Sequence, residues 1–194
     1  MRKFTISDLH FGHKNILTYE KIRKDLFGDS VEKMNEYLIE KWNKTVDPED
    51  HVYYVGDFSF SNNSLTKELI SKLNGHIHLI MGNHDFQVSP TKFLSMGIRS
   101  VQMESIIRLS KQVMIKLNHF PYSGDSDSEK GRYEMFRPVK QDGIWLVHGH
   151  MHSKGIKIDY EQKSICVSGE LWKFTPINLD HILAIINKSE GTNG

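Results

Sequence analysis

Two hydrophobic rhythms alternate along the first half of the chain. Lys3-Phe4-Thr5-Ile6-Ser7 reads as a strand over 3–7 that stops at Asp8. Residues 30–45 follow helical spacing: Val31, Met34, Leu38 and Trp42 share one face, and Asp29 with Glu32 can form a capping box ahead of it. That Met/Trp stripe is core packing rather than a cofactor box. His51-Val52-Tyr53-Tyr54-Val55 is a second strand, ending at Gly56-Asp57. A helix follows over 64–73, with Ser64 as N-cap, Leu65, Leu69 and Leu73 on one face, and Asn74-Gly75 as its stop. A third strand over 76–81 ends at Gly82-Asn83-His84-Asp85. Strand alternating with helix argues a parallel α/β sheet.

The second half is richer in strands. Stretches 98–109, 112–118, 144–149, 155–160 and 163–168 carry strand patterns, and 179–187 is apolar enough for a strand or a short helix. A polar loop spans 122–142, and residues 189–194 are expected to form a frayed, flexible tail after a single domain over 1–188. There is no internal repeat.

Composition narrows the function classes. Lys and Arg total 25 against 24 Asp and Glu, a formal charge of +1 that disfavours a strongly basic nucleic-acid binder. The lone cysteine, Cys166, excludes an intrachain disulfide framework and fits a reducing compartment. No apolar run approaches the roughly 20 residues that span a bilayer. The opening Met1-Arg2-Lys3 leads quickly to Asp8 and offers no signal-peptide core, so a cytoplasmic location is expected. Eleven histidines are the one abnormal count.

Their placement is ordered. Three strands end in Asp8-Leu9-His10, Gly56-Asp57 and Gly82-Asn83-His84-Asp85, and two later apolar stretches end at His119 and at Gly149-His150-Met151-His152. In an open α/β sheet ligands bind beyond the carboxyl ends of the strands. Residues two apart in extended chain point the same way, so Asp8/His10 and His150/His152 can each face one site. Imidazole and carboxylate donors together suit two adjacent divalent ions, Mn, Fe, Ni or Zn. Gly56, Gly82 and Gly149 permit tight-turn backbone angles beside these donors.

The series D-x-H, G-D, G-N-H-D, a lone His and G-H-x-H, running from Asp8 to His152, resembles the calcineurin-like metallophosphoesterases. Asp8 to His13, Gly56 to Phe60 and Gly169-Glu170-Leu171-Trp172 are similar to that family's compact bacterial and bacteriophage branch. The resemblance implies a four-layer αββα sandwich, two mixed β-sheets flanked by helices. It implies Asp8, His10 and His152 at a first metal, Asp57 bridging, and Asn83, His119 and His150 at a second. It implies His84 as the catalytic histidine, held by Asp85. The expected chemistry is hydrolysis of a small phosphate ester, mono- or diester and nucleotide-like in size, by a hydroxide held between two metal ions. A nuclease or protein phosphatase on the same fold is the alternative among enzymes; nucleic acid is a less favoured partner and a membrane is not expected. A non-catalytic binding module would be expected to have lost His84 or a ligand. A structural zinc site would be expected to be mononuclear and thiolate-rich.

The other histidines read differently. His76 and His78 begin their strand and so lie on the wrong side of the sheet for that site. His148 reads as a buried, hydrogen-bonded group, and His51 and His181 as surface or strand-entry residues. His13 and Asn15, in the loop leaving the site, are candidates for touching substrate or packing the loop. Arg132 and Arg137 could grip a phosphate or be solvated charges of the polar loop. Phe120 and Tyr122 could stack on a base or pack that loop.

Overall fold

Each half of the chain contributes a set of parallel strands whose carboxyl ends meet. The computed structural model describes residues 1–125 and 133–191. In chain order the elements are β1 (Lys3–Ile6), α1 (Ile16–Tyr19), α2 (Lys21–Phe27), α3 (Val31–Asn43), β2 (His51–Val55), α4 (Asn63–Ser71), β3 (His76–Ile80), α5 (Pro90–Met96) and β4 (Ser100–Gln102). They continue as β5 (Glu104–Arg108), β6 (Met114–Asn118), β7 (Ile144–His148), β8 (Ile158–Asp159), β9 (Ser164–Cys166), β10 (Ile177–Asn178) and α6 (Leu179–Ser189).

Two mixed five-stranded sheets result, ordered β10-β1-β2-β3-β4 and β5-β6-β7-β9-β8. Strands β1 to β4 run parallel, with β10 antiparallel on the edge. In the second sheet β6, β7 and β9 run parallel, flanked by antiparallel β5 and β8. This is the α/β sandwich that the motif series implies. One core lies between the first sheet and its helices, where Phe4, Ile6, Tyr54 and Leu79 meet Met34, Leu38, Trp42 and Phe93. A second joins Val55 and Ile80 to Ile115, Leu117, Val147 and Ile165 of the facing sheet, with Ile182 and Ile186 of α6. Buried apolar runs are what parallel strands covered on both faces require.

Several boundaries differ from the sequence reading. Helix α3 is capped by Ser30, whose hydroxyl accepts from the Lys33 N–H, not by Asp29. Helix α4 is capped by Asn62 rather than Ser64. The expected strand over 98–109 is two strands in different sheets, the chain passing from one sheet to the other at Met103. The expected 155–160 strand shrinks to β8, and 179–187 is helix α6, which runs through Ser189 where a frayed tail was expected. Helices α1, α2 and α5 were not anticipated. Among the described residues, no helix is long and apolar enough to cross a membrane.

Candidate metal centre

The parallel strands of both sheets deliver their ends to one place. Ser7, after β1, bridges Ser168, after β9, and the Ser7 N–H donates to the Val167 carbonyl at 3.1 Å, which locks the two sheets together there. Around this seam lie all seven expected donors. Oxygen or nitrogen atoms of Asp8, His10 and His152 lie within 4.8 Å of one another, as do those of Asp8, Asp57 and His119. Asp57 is central: its Oδ2 stands 3.5 Å from His10 Nε2 and 3.5 Å from His119 Nε2, while its Oδ1 accepts the His84 N–H at 3.0 Å. Asn83 Oδ1 lies 3.1 Å from His119 Nε2 and 3.0 Å from His150 Nδ1. Asp8 belongs to both of those groups, and Asp57 Oδ2 stands between His10 on one side and His119 on the other.

The backbone is strained where the donors sit. Asp8, His10, Asp57, His150 and His152 all have φ between 49° and 70°, a left-handed region that side-chain-bearing residues rarely enter. Such strain costs on the order of 1–3 kcal/mol per residue and persists where the surroundings enforce it, typically at functional sites. The flanking glycines divide by role. Gly56 does take a positive φ of 85°, but Gly82 and Gly149 do not and serve close approach instead. A Cβ on Gly82 would sit 2.3 Å from Asp57 Oδ1, and one on Gly149 would sit 2.6 Å from Asp8 Oδ2.

Each histidine is oriented by its other ring nitrogen. His119 Nδ1 lies 2.9 Å from the Val55 carbonyl, which turns Nε2 toward Asp57. His152 Nδ1 lies 3.1 Å from Glu170 Oε1, leaving Nε2 toward Asp8. Glu170 is held in turn by the fully buried Arg23, at 2.6–2.7 Å, and Arg23 also donates to the Leu9 and Asp8 carbonyls. His150 Nε2 lies 3.2 Å from Asp125 Oδ1, which accepts from Arg137 at 2.7 Å. Two histidines therefore stand on carboxylate–arginine pairs, the arrangement that fixes tautomer and basicity in metal sites. Sequence reasoning missed Arg23, Asp125, Ser168 and Glu170 as contributors. Gly169-Glu170, placed after an apolar strand, repeats the Gly-plus-donor pattern of the other strand ends and was the available signal for one of them.

The electrostatics divide the rings: burial favours the neutral form of His10 and His150, whereas nearby carboxylates outweigh burial at His119 and His152 and raise them. Burial lowers His10 to about 3, against the pull of Asp57. Burial, aided by His119, lowers His150 to about 2. Burial opposes charge on His152 too, but Glu170 and Asp8 outweigh it and raise that ring to about 9. Asp57 stays well below the ordinary carboxylate range: burial works against it, and His119 and His10 prevail. The buried His10 Nε2 makes no hydrogen bond. An orphaned buried nitrogen facing a carboxylate at this distance suits a metal ion as their common partner. The donor set therefore fits divalent metal.

Two expectations change. Asp85 does not hold the His84 ring: its carboxylate accepts the backbone N–H groups of Asp57, Phe58 and Gly82 at 2.8–3.0 Å, so it fastens the turn that carries Asp57. Burial and then Asp57 raise Asp85 to about 7, against those N–H groups. Arg137 is committed to Asp125 and the Pro121 carbonyl rather than open to a phosphate, and Arg132 lies outside the described residues. His13 lines the cleft but also packs behind the donors, its Nδ1 3.3 Å from His10 Nδ1 and its ring stacked on Phe60. His84 is 35% exposed at the cleft, with Nε2 3.9 Å from Asp57 Oδ2. Phe120 is buried against His119, His150 and Tyr133. His148 is buried with Nδ1 at the Gly149 carbonyl.

Comparison with known proteins adds a lineage. The family model for calcineurin-like phosphoesterase matches residues 1–184. An uncharacterized protein of Methanocaldococcus jannaschii is 34% identical over 98% of this chain and 94% of its own length. The gene 66 protein of Mycobacterium phage L5 is 30% identical over 93% of this chain and 92% of its own. The crystal structure of a protein of unknown function from Aquifex aeolicus matches with a TM-score of 0.72 at 25% identity, covering 95% of this chain and 98% of that one.

Proposed function

The chain belongs to the calcineurin-like phosphoesterases, and we propose that it is an enzyme that hydrolyses phosphate mono- or diesters with two divalent metal ions. The observation that carries this reading is the single Asp57 oxygen standing between His10 on one side and His119 on the other. Asp8, His10, Asp57 and His152 would hold one ion, and Asp57, Asn83, His119 and His150 the other; Mn, Fe, Ni and Zn all suit these donors. When bound, such ions supply Lewis acidity toward water and toward the phosphoryl oxygens, and the two carboxylates leave part of their charge free to attract an anionic ester.

The chain's own residues do the rest. His84 reaches the cleft without being consumed as a donor, and serves the leaving oxygen as proton donor or charge partner. Its backbone N–H fixes Asp57 Oδ1, so the same residue steadies the shared carboxylate. Glu170 and Asp125 hold His152 and His150 in the tautomer that presents a lone pair inward. Asp85 keeps the Asp57 turn closed.

The test is a screen of metal-free protein reloaded in parallel with Mn, Ni, Zn or Mg, against aryl phosphomonoesters, aryl phosphodiesters and cyclic nucleotides. Hydrolysis that appears with metal and disappears with chelator is the expected result. No turnover of any class with any ion would remove the proposal.

A further inference from the structure

Four histidines belong to the donor set, and three of them are backed by an oxygen: the Val55 carbonyl behind His119, Glu170 behind His152 and Asp125 behind His150. The fourth differs. Behind His10 stands a second imidazole, with His13 Nδ1 3.3 Å from His10 Nδ1. An oxygen ends a chain of hydrogen bonds, whereas an imidazole continues it through its other nitrogen. The direction of this chain follows from His10. Its Nε2 is the orphaned nitrogen that faces Asp57 Oδ2. As a metal donor His10 keeps the Nε2 lone pair free, so its proton sits on Nδ1 and is donated to His13 Nδ1. A charged His13 would set two N–H groups against each other there. His13 therefore accepts at Nδ1 and carries its own proton on Nε2.

That second N–H has no partner among the described residues. The sealed, unpartnered side-chain atoms belong to Thr5, His10, Glu20 and Glu170; His13 Nε2 is not among them, so it opens on the cleft that the ring lines. The ring is held in place: it stacks on Phe60 with centroids 4.1 Å apart and planes 12° apart, and Tyr19 stands edge-on to it at 6.4 Å. It stands beside the reacting groups, its centroid 5.2 Å from that of His10 and 6.2 Å from that of His84. A fixed N–H open to an anion-binding cleft calls for an acceptor, and phosphoryl oxygens are charged acceptors without a proton to offer. We propose that His13 contacts substrate: its Nε2–H donates to a phosphoryl oxygen of the bound ester while its Nδ1 accepts from His10. The proposal rests on the phosphoesterase reading above, and the experiment separates the two.

Two substitutions separate the two nitrogens. His13→Asn keeps an acceptor oxygen near the place of Nδ1 and removes the outer donor, whereas His13→Gln keeps an amide N–H near the place of Nε2. Metal content, calorimetric binding of inorganic phosphate to the zinc-loaded protein, and kcat and KM for an aryl phosphate are measured on each. The account expects His13→Asn to keep its metal and bind phosphate about 10–100-fold more weakly, the scale of one hydrogen bond to a charged group. Its kcat/KM should fall alongside, with His13→Gln nearer the unsubstituted protein. Nitrogen NMR of the unsubstituted, zinc-loaded protein should find the His13 proton on Nε2, a readout that needs neither a variant nor turnover. A His13 proton on Nδ1 overturns the proposal, as do phosphate affinity and kcat/KM unchanged in His13→Asn. Loss of metal from both variants marks a mere support for His10 and overturns it too. Phosphate binding that depends on His13, without turnover of any ester, keeps the contact and removes the phosphoesterase reading. Brisk turnover with His13→Asn unaffected does the reverse.

Discussion

Strands β2 and β3 begin with histidines, candidate donors follow the carboxyl ends of β1, β2 and β3, and the two ends behave differently. At the amino ends, His76 and His78 make a second H-x-H pattern beside His51, on ordinary extended backbone. His51 Nδ1 lies 2.8 Å from His78 Nε2, and His78 Nδ1 lies 2.8 Å from Ser100 Oγ, so the His51 and His78 rings are partnered by hydrogen bonds. At the carboxyl ends, Asp57 is interposed between rings, the backbone is left-handed and His10 Nε2 stays unsatisfied. The two groups of described residues able to share an ion exclude all three amino-end histidines. Imidazole count is therefore a poor guide. What distinguishes a metal centre is the carboxylate placed between rings and the strain spent to put it there.

That contrast breaks most visibly at Asp57. Asp57→Asn should lose most bound metal and nearly all hydrolysis, because the charge removed faces both donor groups; metal content and turnover are measured on the same preparation. Two ions per chain and normal turnover in the variant would refute the shared-carboxylate assignment. His84→Ala should keep its metal and lose 10²–10⁴-fold in turnover, the usual scale of acid–base assistance. The loss should be least for nitrophenyl esters, whose leaving group scarcely needs a proton, and greatest for alkyl esters; a flat leaving-group series removes the proton-donor role.

Glu170→Gln probes the support behind the donors. It should weaken metal binding or activity by about 10–100-fold, as lost outer carboxylates do. It should also lower the melting temperature of the metal-free protein, because Arg23, fully buried, loses the charge it is paired with. The smallest effect is expected at the other end of the strands. His78→Ala should leave metal content and turnover unchanged and cost about 1 kcal/mol of stability, read from denaturant unfolding, for the hydrogen bonds to His51 and Ser100.

The donors themselves were readable because each follows directly on an apolar strand, where local pattern and function coincide. The supports were not, because they depend on distant pairing. Arg23 and Glu170 are separated by 147 positions and look like ordinary surface charges until the fold buries them together. Asp85, adjacent to His84 in sequence, turns instead toward three backbone N–H groups, a choice that sequence adjacency cannot reveal. The break at Met103 left no trace because its alternating pattern continues from β4 into β5 across two sheets. Helix α5, by contrast, had its signals in plain view: Ser89 as cap, Pro90 in its first turn and Gly97 closing it with φ 114°.

The most direct measurement is anomalous diffraction from crystals of the protein loaded with manganese. The account predicts two peaks, one among Asp8, His10 and His152 and one among Asn83, His119 and His150, with Asp57 contributing to both. A single peak, two peaks without Asp57 in common, or a peak at His51 and His78 would contradict it.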